Sequence, residues 1–409
     1  MNNIKSKRIL LLNQTFYPDN AATAQHLTDL ALDLAKAGHL VWVICDRRSY
    51  DDRNVVHVCR QKYEGINIIR VGSSAFGKKT KFHRFMDYFS FNLSLVLKLI
   101  SLPKFDVVIG LTSPPWISFF GALFTRIKGG HFVHWTMDIN PDQAVELGWV
   151  RKNSLGFCLL NWMALFTYQK SDMIVCLDRF MQDRLIVKGV HSHRICVIPA
   201  WSHDIDHEPI SSSENRFRKQ YALNGKFVVM YSGNFSVCHP LDTLLETARL
   251  MKDNNRVHFI FVGGGIRVKD VLEFKDRYNL SNIQYLSYQP RSEIKDSLSA
   301  ADLHAVVMGE KYVGIVHPCK IYGILASGKP FILVGPEKSH IGDIQRDHKL
   351  GYQVNHGASD KLRAVIDKLQ LLSEKEKQEI RDRSFKAVTE RYSRSLLTKK
   401  FIRLCLEKL

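Results

Sequence analysis

The chain contains no C-x-x-C pair and no Cys/His spacing of a zinc module. It also has no uncharged apolar run of the roughly 18 residues that a bilayer-spanning helix needs. Its eight cysteines (45, 59, 158, 176, 196, 238, 319, 405) are scattered. They read as small apolar residues of a reducing cytoplasm, not as a disulfide frame. The apolar stretch after the basic N-terminus, Ile9 to Leu12, is too short for a secretory core. The expectation is a soluble or peripheral protein. There is no Walker A sequence, no G-x-S-x-G elbow and no H-E-x-x-H, which argues against P-loop, serine-nucleophile and zincin chemistry. Gly263-Gly264-Gly265 follows an apolar run, but Val268 stands where a dinucleotide fingerprint needs its third glycine, so no nicotinamide site is supported. Acid is also scarce: 40 Asp and Glu face 58 Lys and Arg, a net charge of +18. Such an excess invites anionic partners, namely nucleic acid, acidic lipid or phosphorylated substrates. No basic reading helix, RNP-like motif or zinc module accompanies it, so nucleic acid is disfavoured.

What is present is an ordinary globular composition over 409 residues, 45% hydrophobic and 24% charged, enough for two to three domains. Short apolar runs alternate with helical patterns, as in a parallel α/β protein. Strands are expected at 8–13 (RILLLN), 40–45 (LVWVIC), 66–71, 106–111, 131–138, 173–176 and 195–199, with a helix over 24–37. From Trp201 to Asn224 the chain turns polar and irregular, with a helical turn at Phe217 to Tyr221. The pattern then restarts with strands at 227–232 (FVVMYS), 257–262 (VHFIFV), 283–286, 303–308 and 330–334, and a helix over 241–251. The division is a Rossmann-like domain at 1–205, a second at 206–395 and a terminal helix at 396–409. His191, His193, His203 and His207 fall in loops and read as solvated.

One predicted helix, 82–101, stands apart. Phe82, Phe85, Met86, Phe89, Leu93, Val96, Leu97 and Ile100 recur at helical spacing in one stripe. The surrounding region 60–104 holds nine Lys and Arg, Lys78 and Lys79 among them, against Glu64 and Asp87. Two readings stand: a core-packing helix beside a charged loop, or an element lying on an anionic membrane surface.

The most informative segment is Gly314-Ile-Val-His-Pro-Cys-Lys-Ile-Tyr-Gly-Ile-Leu-Ala-Ser-Gly-Lys-Pro330. Pro318 suits the first turn of a helix, and Gly328-Lys329-Pro330 ends it. A helix entered from a glycine loop offers unpaired N–H groups to an anion, and Lys320 sits in its first turn. In physical terms this is a diphosphate site.

This segment resembles the donor signature of glycosyltransferase family 4, retaining enzymes of GT-B fold. The closest pattern is P-S-K-x-Y-[E/G]-x-x-A-x-G-[R/K]-P, found in transferases of the colanic-acid and O-antigen fucosaminyltransferase type. Further matches run in order along nearly the whole chain. They are Phe16-Tyr-Pro-Asp19, Gly38-His39, Trp135-Thr-Met-Asp-Ile-Asn-Pro-Asp142, Tyr231-Ser-Gly-Asn-Phe-Ser-Val-Cys-His239 and Ala300-Ala-Asp302. The resemblance implies an α/β protein of two Rossmann-like domains, their parallel sheets facing across a cleft. It implies a hexosyltransferase-type enzyme that holds its nucleotide sugar in the C-terminal half and needs no metal or other cofactor. Donor contacts are expected from Gly233, Asn234, His239, Gly264, Tyr288 (stacking on the base), Gly314, Ile315, Val316, Lys320 and Tyr322. Asp138 is expected to touch the donor sugar or the acceptor hydroxyl. Glu310 is the candidate substitute for a missing glutamate. Ala22, Thr23, His134 and Asp142 are expected to line the acceptor side. The terminal helix is expected to pack back on the N-terminal domain.

Two family glutamates, counted back from Gly328, would fall at Ile315 and Gly323, so both are absent. The early glycine pair is Ala21-Ala22 here, and the phosphate-binding cations of the Gly233 loop are Asn234 and His239. The reading that follows is a retaining transferase at the inner face of the plasma membrane. It moves a sugar from UDP, or less favourably GDP, onto a lipid-linked or polysaccharide acceptor in O-antigen or capsule synthesis. The alternatives are a non-catalytic GT-B scaffold, which the missing glutamates motivate, and a sugar-nucleotide 2-epimerase, which shares the architecture.

Overall fold

A computed structural model describes residues 6–50, 52–77, 80–202, 210–211 and 214–407. The chain divides into two units: Met1–Pro199 with Gly314–His317 and Ser395–Leu409, and Ala200–Val313 with Pro318–Arg394. The boundary expected at 205 falls within 203–209, outside the described residues, as do His203, His207, Lys78 and Lys79. Gly314–His317, expected in the second domain, clusters with the first.

The first unit contains an eight-stranded sheet: β1 (Arg8–Leu12), β2 (Leu40–Asp46), β3 (Arg60–Tyr63), β4 (Ile66–Val71), β5 (Val107–Gly110), β6 (His131–Thr136), β7 (Met173–Cys176) and β8 (Ile195–Val197). Its spatial order is β3-β4-β2-β1-β5-β6-β7-β8. All pairings are parallel except the β3–β4 hairpin at the edge. The central strands are apolar on both faces because helices cover both sides, and Ile9 to Leu12 are completely buried. Its helices are α1 (Ala22–Lys36), α2 (Lys81–Ile100), α3 (Ile117–Lys128), α4 (Asp142–Glu146), α5 (Leu155–Lys170) and α6 (Arg179–Val187).

The second unit contains β9 (Phe227–Asn234), β10 (Val257–Gly264), β11 (Ile283–Leu286), β12 (Leu303–Val307), β13 (Phe331–Val334) and β14 (Tyr352–Val354). They form an all-parallel sheet in the order β11-β10-β9-β12-β13-β14. Around it lie α7 (Arg216–Gln220), α8 (Asp242–Leu250), α9 (Val268–Arg277), α10 (Ile294–Ser299), α11 (Lys320–Ala326), α12 (His340–His348), α13 (Ser359–Gln370) and α14 (Glu374–Ala387). The last helix, α15 (Arg394–Ile402), belongs with the first unit. Phe401 packs 4.9 Å from the Trp135 ring, and the Lys400 ammonium donates to the Val197 carbonyl at 3.2 Å.

Both sheets reverse their strand order beside the first strand of the unit, at β1/β5 and at β9/β12. In open α/β sheets, ligands bind outside the carboxyl ends of the strands at such switch points. The second unit opens there: β9 pairs with β10 as far as Asn234, whereas its pairing with β12 ends at Met230.

The core-packing reading of the α2 stripe is overturned. Phe82, Phe85, Phe89, Leu93, Leu97 and Ile100 are exposed, while Phe91, Leu95 and Leu99, one helical face away, enter the core.

Candidate functional site

The donor candidates Gly233 and Lys320 meet at the β9/β12 opening. Gly233 takes φ +131°, which a side-chain-bearing residue rarely adopts. A Cβ there would lie 3.1 Å from the Lys320 ammonium. That ammonium sits 3.7 Å from the centroid of the buried Tyr231 ring, and its nitrogen is shielded from water with no hydrogen-bond partner among the described residues. Burial brings Lys320 down from 10.5 to about 7. A buried ammonium without an anion is costly, so this arrangement is suited to receiving one. Lys320 is the first residue of the seven-residue α11, so anion capture rests on its side chain more than on a helix end.

The glycine loops pack backbone against backbone. A Cβ on Gly263 would meet the Gly233 carbonyl oxygen at 2.0 Å, and Gly263 itself has φ +134°. Gly263→Ala is therefore expected to destabilise the protein by about 2 kcal/mol or more, the cost of backbone strain plus overpacking. Chemical denaturation measures this, and a change below about 0.5 kcal/mol would mean the loops part freely. Asn234 is exposed at the end of β9. The exposed Tyr288 lies along Gly264, donating its hydroxyl to that carbonyl at 3.2 Å. His239 hydrogen-bonds through Nδ1 to the Val307 carbonyl at 2.7 Å, so Nδ1 carries the proton. Burial and the nearby Lys320 hold this imidazole neutral, down to about 3, so it adds no fixed charge. Glu310 lies in a short turn, Glu310–Tyr312, past β12. It is exposed, and its carboxylate makes no hydrogen bond or ion pair among the described residues.

In the first unit, Asp138 follows β6, half-buried and without a hydrogen bond or ion pair among the described residues. Desolvation pushes its carboxyl up from 3.8 to about 7. Ala22 and Thr23 open α1, and the Thr23 hydroxyl is 3.1 Å from that of Thr15, just past β1.

Several expectations are corrected. Tyr322 is not available to a donor: it is buried, with its hydroxyl 2.8 Å from His340 Nε2. His134 is an interior residue, its Nδ1 2.9 Å from the Ser118 hydroxyl and its ring held neutral by burial, down to about 3. Asp142 pairs with the Lys188 ammonium at 2.7 Å, so its carboxylate anchors α4 to the turn after α6. Gly314, Ile315 and Val316 sit against first-unit residues. The Ile315 carbonyl accepts from the Ile139 N–H at 2.9 Å, and a Cβ on Gly314 would strike the Phe180 carbonyl oxygen at 2.6 Å. Ile315 and Val316 side chains are buried.

One contact escaped sequence reasoning entirely. Asp178 caps α6 by accepting from the Met181 N–H at 2.9 Å, and its second oxygen is 2.7 Å from His317 Nδ1. Only the cap, an Asp before a helical pattern, was readable.

Comparison with known proteins agrees with this architecture. Residues 23–201 match the family model described as Glycosyltransferase Family 4. The chain is 24% identical over 264 residues, 64% of its own length and 66% of the other's, to a probable glycosyltransferase, WbjE, of Pseudomonas aeruginosa. It is 22% identical over 348 residues, 82% of its length and 85% of the other's, to the putative colanic acid biosynthesis glycosyl transferase WcaI of Escherichia coli K12. Among solved structures, HepE of Anabaena, crystallised with UDP and glucose, superposes with a TM-score of 0.74 at 18% identity, covering 98% of this chain and 100% of that one. WaaG, a glycosyltransferase involved in lipopolysaccharide biosynthesis, gives 0.69 at 14% identity, covering 97% and 99%. The fold and the relatives define a glycosyltransferase of GT-B architecture. Within that class, residues 23–201 are similar to family 4.

Proposed function

We propose that this protein is a retaining glycosyltransferase of cell-surface polysaccharide synthesis. It takes a sugar from a UDP-sugar, or less favourably a GDP-sugar, and passes it to a lipid-linked or polysaccharide acceptor. The observation that carries this reading is the buried Lys320 ammonium, without a hydrogen-bond partner among the described residues, facing Gly233 at the switch point of the second unit. Oxygen charge grows on the diphosphate as the anomeric bond breaks, so a preplaced cation there favours the transition state over the ground state. Asp138 serves the acceptor hydroxyl, and neither an enzyme nucleophile nor a metal is required. The names of the relatives, one assigned to colanic acid synthesis, support a polysaccharide pathway. HepE with UDP and glucose supports a UDP-sugar donor. The exposed apolar stripe of α2, set in the basic region 60–104, supports peripheral attachment at the inner membrane face.

A thermal-shift panel of UDP, GDP, ADP, CMP and NAD, each with and without magnesium, tests the donor assignment. A ligand present at a hundredfold excess over its Kd stabilises the native state by about 2.7 kcal/mol. Metal-independent stabilisation by UDP is expected. Silence across the panel would favour a non-catalytic scaffold, to which the absent glutamates at Ile315 and Gly323 point.

A further inference from the structure

The apolar surface does not stop at α2. Along α3, Leu123 and Ile127 are exposed four residues apart, the latter 70% exposed. Along α5, Leu155, Leu159 and Trp162 fall at i, i+4 and i+7, with Leu155 91% exposed. Ring contacts join the three stripes. Phe85 of α2 meets Trp116, at the start of α3, at 5.7 Å, and Phe119 of α3 meets Trp162 of α5 at 5.5 Å. Isolated exposed apolar side chains are ordinary on a monomer, but three parallel stripes joined by aromatic rings form one patch. Its charge pattern is one-sided. Across α2, α3 and α5 the sole acid is Asp87, which is buried and bound to the N–H groups of Phe76 and Gly77. Cations border the patch at both ends: Lys98, Lys104, Arg126 and Lys128 at one, and Arg84, Arg151 and Lys152 at the other. The Arg84 guanidinium lies 5.1 Å over the Trp149 ring, tying the start of α2 to the segment that leads into α5.

We propose that α5 and α3 join α2 in a single three-helix face whose occupant is the anionic leaflet of a bilayer, with the stripes of all three helices entering its hydrocarbon edge. This rests on the membrane reading of region 60–104 and extends it to residues 117–162. Charge complementarity selects the occupant. A leaflet supplies continuous hydrocarbon under the stripes and negative headgroups at the cationic borders, with Trp116, Trp149 and Trp162 at the depth that indole rings prefer. Because the apolar contact covers three helices, binding is expected to persist in part at high salt, where contact by cations alone would be screened.

Sedimentation with phosphatidylglycerol-containing and neutral vesicles tests this on the full chain. The paired substitutions Leu159→Glu and Trp162→Glu on α5 are expected to weaken binding to anionic vesicles by about tenfold or more, with the UDP thermal shift unchanged. Retention of parental binding would overturn the three-helix face. Phe89→Glu with Leu93→Glu on α2 separates the two claims. Loss there with none on α5 leaves the single-helix reading standing and removes this one, whereas binding unaffected by either pair removes both. Hydrogen exchange on the unaltered protein needs no variant. Amides of 155–166 are expected to gain protection when anionic vesicles are added. Unchanged exchange, or a stable dimer that protects the same amides without lipid, would overturn the proposal.

Discussion

Lys320→Met is expected to weaken UDP binding by roughly 30- to 150-fold while raising the melting temperature of the ligand-free protein. The loss follows from removing a charge-assisted contact to phosphate, worth about 2–3 kcal/mol. The gain follows from the same burial. Lys320 titrates near 7 in the folded chain and near 10.5 when free. The unfolded chain therefore binds that proton first as pH falls, so native stability declines from about pH 10.5 to about pH 7 and stays at its lower level below. Methionine fills the same volume without the charge and removes this slope. Ligand binding has the opposite linkage. A diphosphate restores the ammonium form, so above pH 7 binding takes up a proton and the Kd rises with pH, by at most about tenfold per unit. Below pH 7 the Kd is flat with respect to this group. The neighbours do not confuse the window: His239 is already neutral throughout it, and burial raises the Tyr231 phenol far above it. Calorimetry in buffers of different ionisation enthalpy, with a melting series in parallel, measures both effects. Parental affinity in the methionine variant would remove the anion from this site, and unaltered stability would mean that the ammonium reaches water.

The sheets were readable because their strands are nearly unbroken apolar runs, RILLL, LVWVIC, FVVMYS and VHFIFV, between glycines and polar turns. Such runs occur where helices cover both faces of a parallel sheet. The strands that escaped lie at edges. β3 reads RQKY and β14 reads YQV, too polar or too short to show any period. Alternation also failed for side-chain placement. His134 sits on a strand between apolar neighbours, and its sequence does not say that α3 supplies Ser118 as its partner. Tyr322 follows Lys320 by two positions in the signature, yet the helix turns it into the core toward His340 while Lys320 faces the Gly233 loop. Periodicity correctly located the stripe on α2 but not its environment, because burial depends on what other elements leave uncovered. The Asp178–His317 contact joins residues 139 positions apart, and no local pattern encodes a pairing of that range.

Asp138→Asn is expected to lower kcat by about a hundred- to a thousandfold, the range associated with one positioned acid–base or hydrogen-bonding group, with nucleotide affinity nearly unchanged. The carboxylate is isosteric with the amide but alone accepts a hydrogen bond from the acceptor hydroxyl at both oxygens. Its raised pKa fixes the pH profile. With Asp138 titrating near 7, kcat at saturating donor is expected to rise through pH 7 to a plateau, because the ionised form is the active one. The asparagine variant is expected to lose that inflection. Stability moves the other way. The folded carboxyl keeps its proton up to about pH 7 while the unfolded one releases it near 3.8, so this group lowers stability progressively between those values, and the full cost remains at higher pH. The variant should therefore melt higher than the parent above pH 7 and at nearly the same temperature below pH 4. A profile that keeps its inflection would assign the titration elsewhere, and parallel losses in kcat and nucleotide affinity would make Asp138 a residue that only shapes the turn after β6. The two substitutions together predict one pattern: two polar groups without a hydrogen-bond partner among the described residues, Lys320 in the second unit and Asp138 in the first, each cost stability in the free protein and each serve a different step, donor binding and turnover.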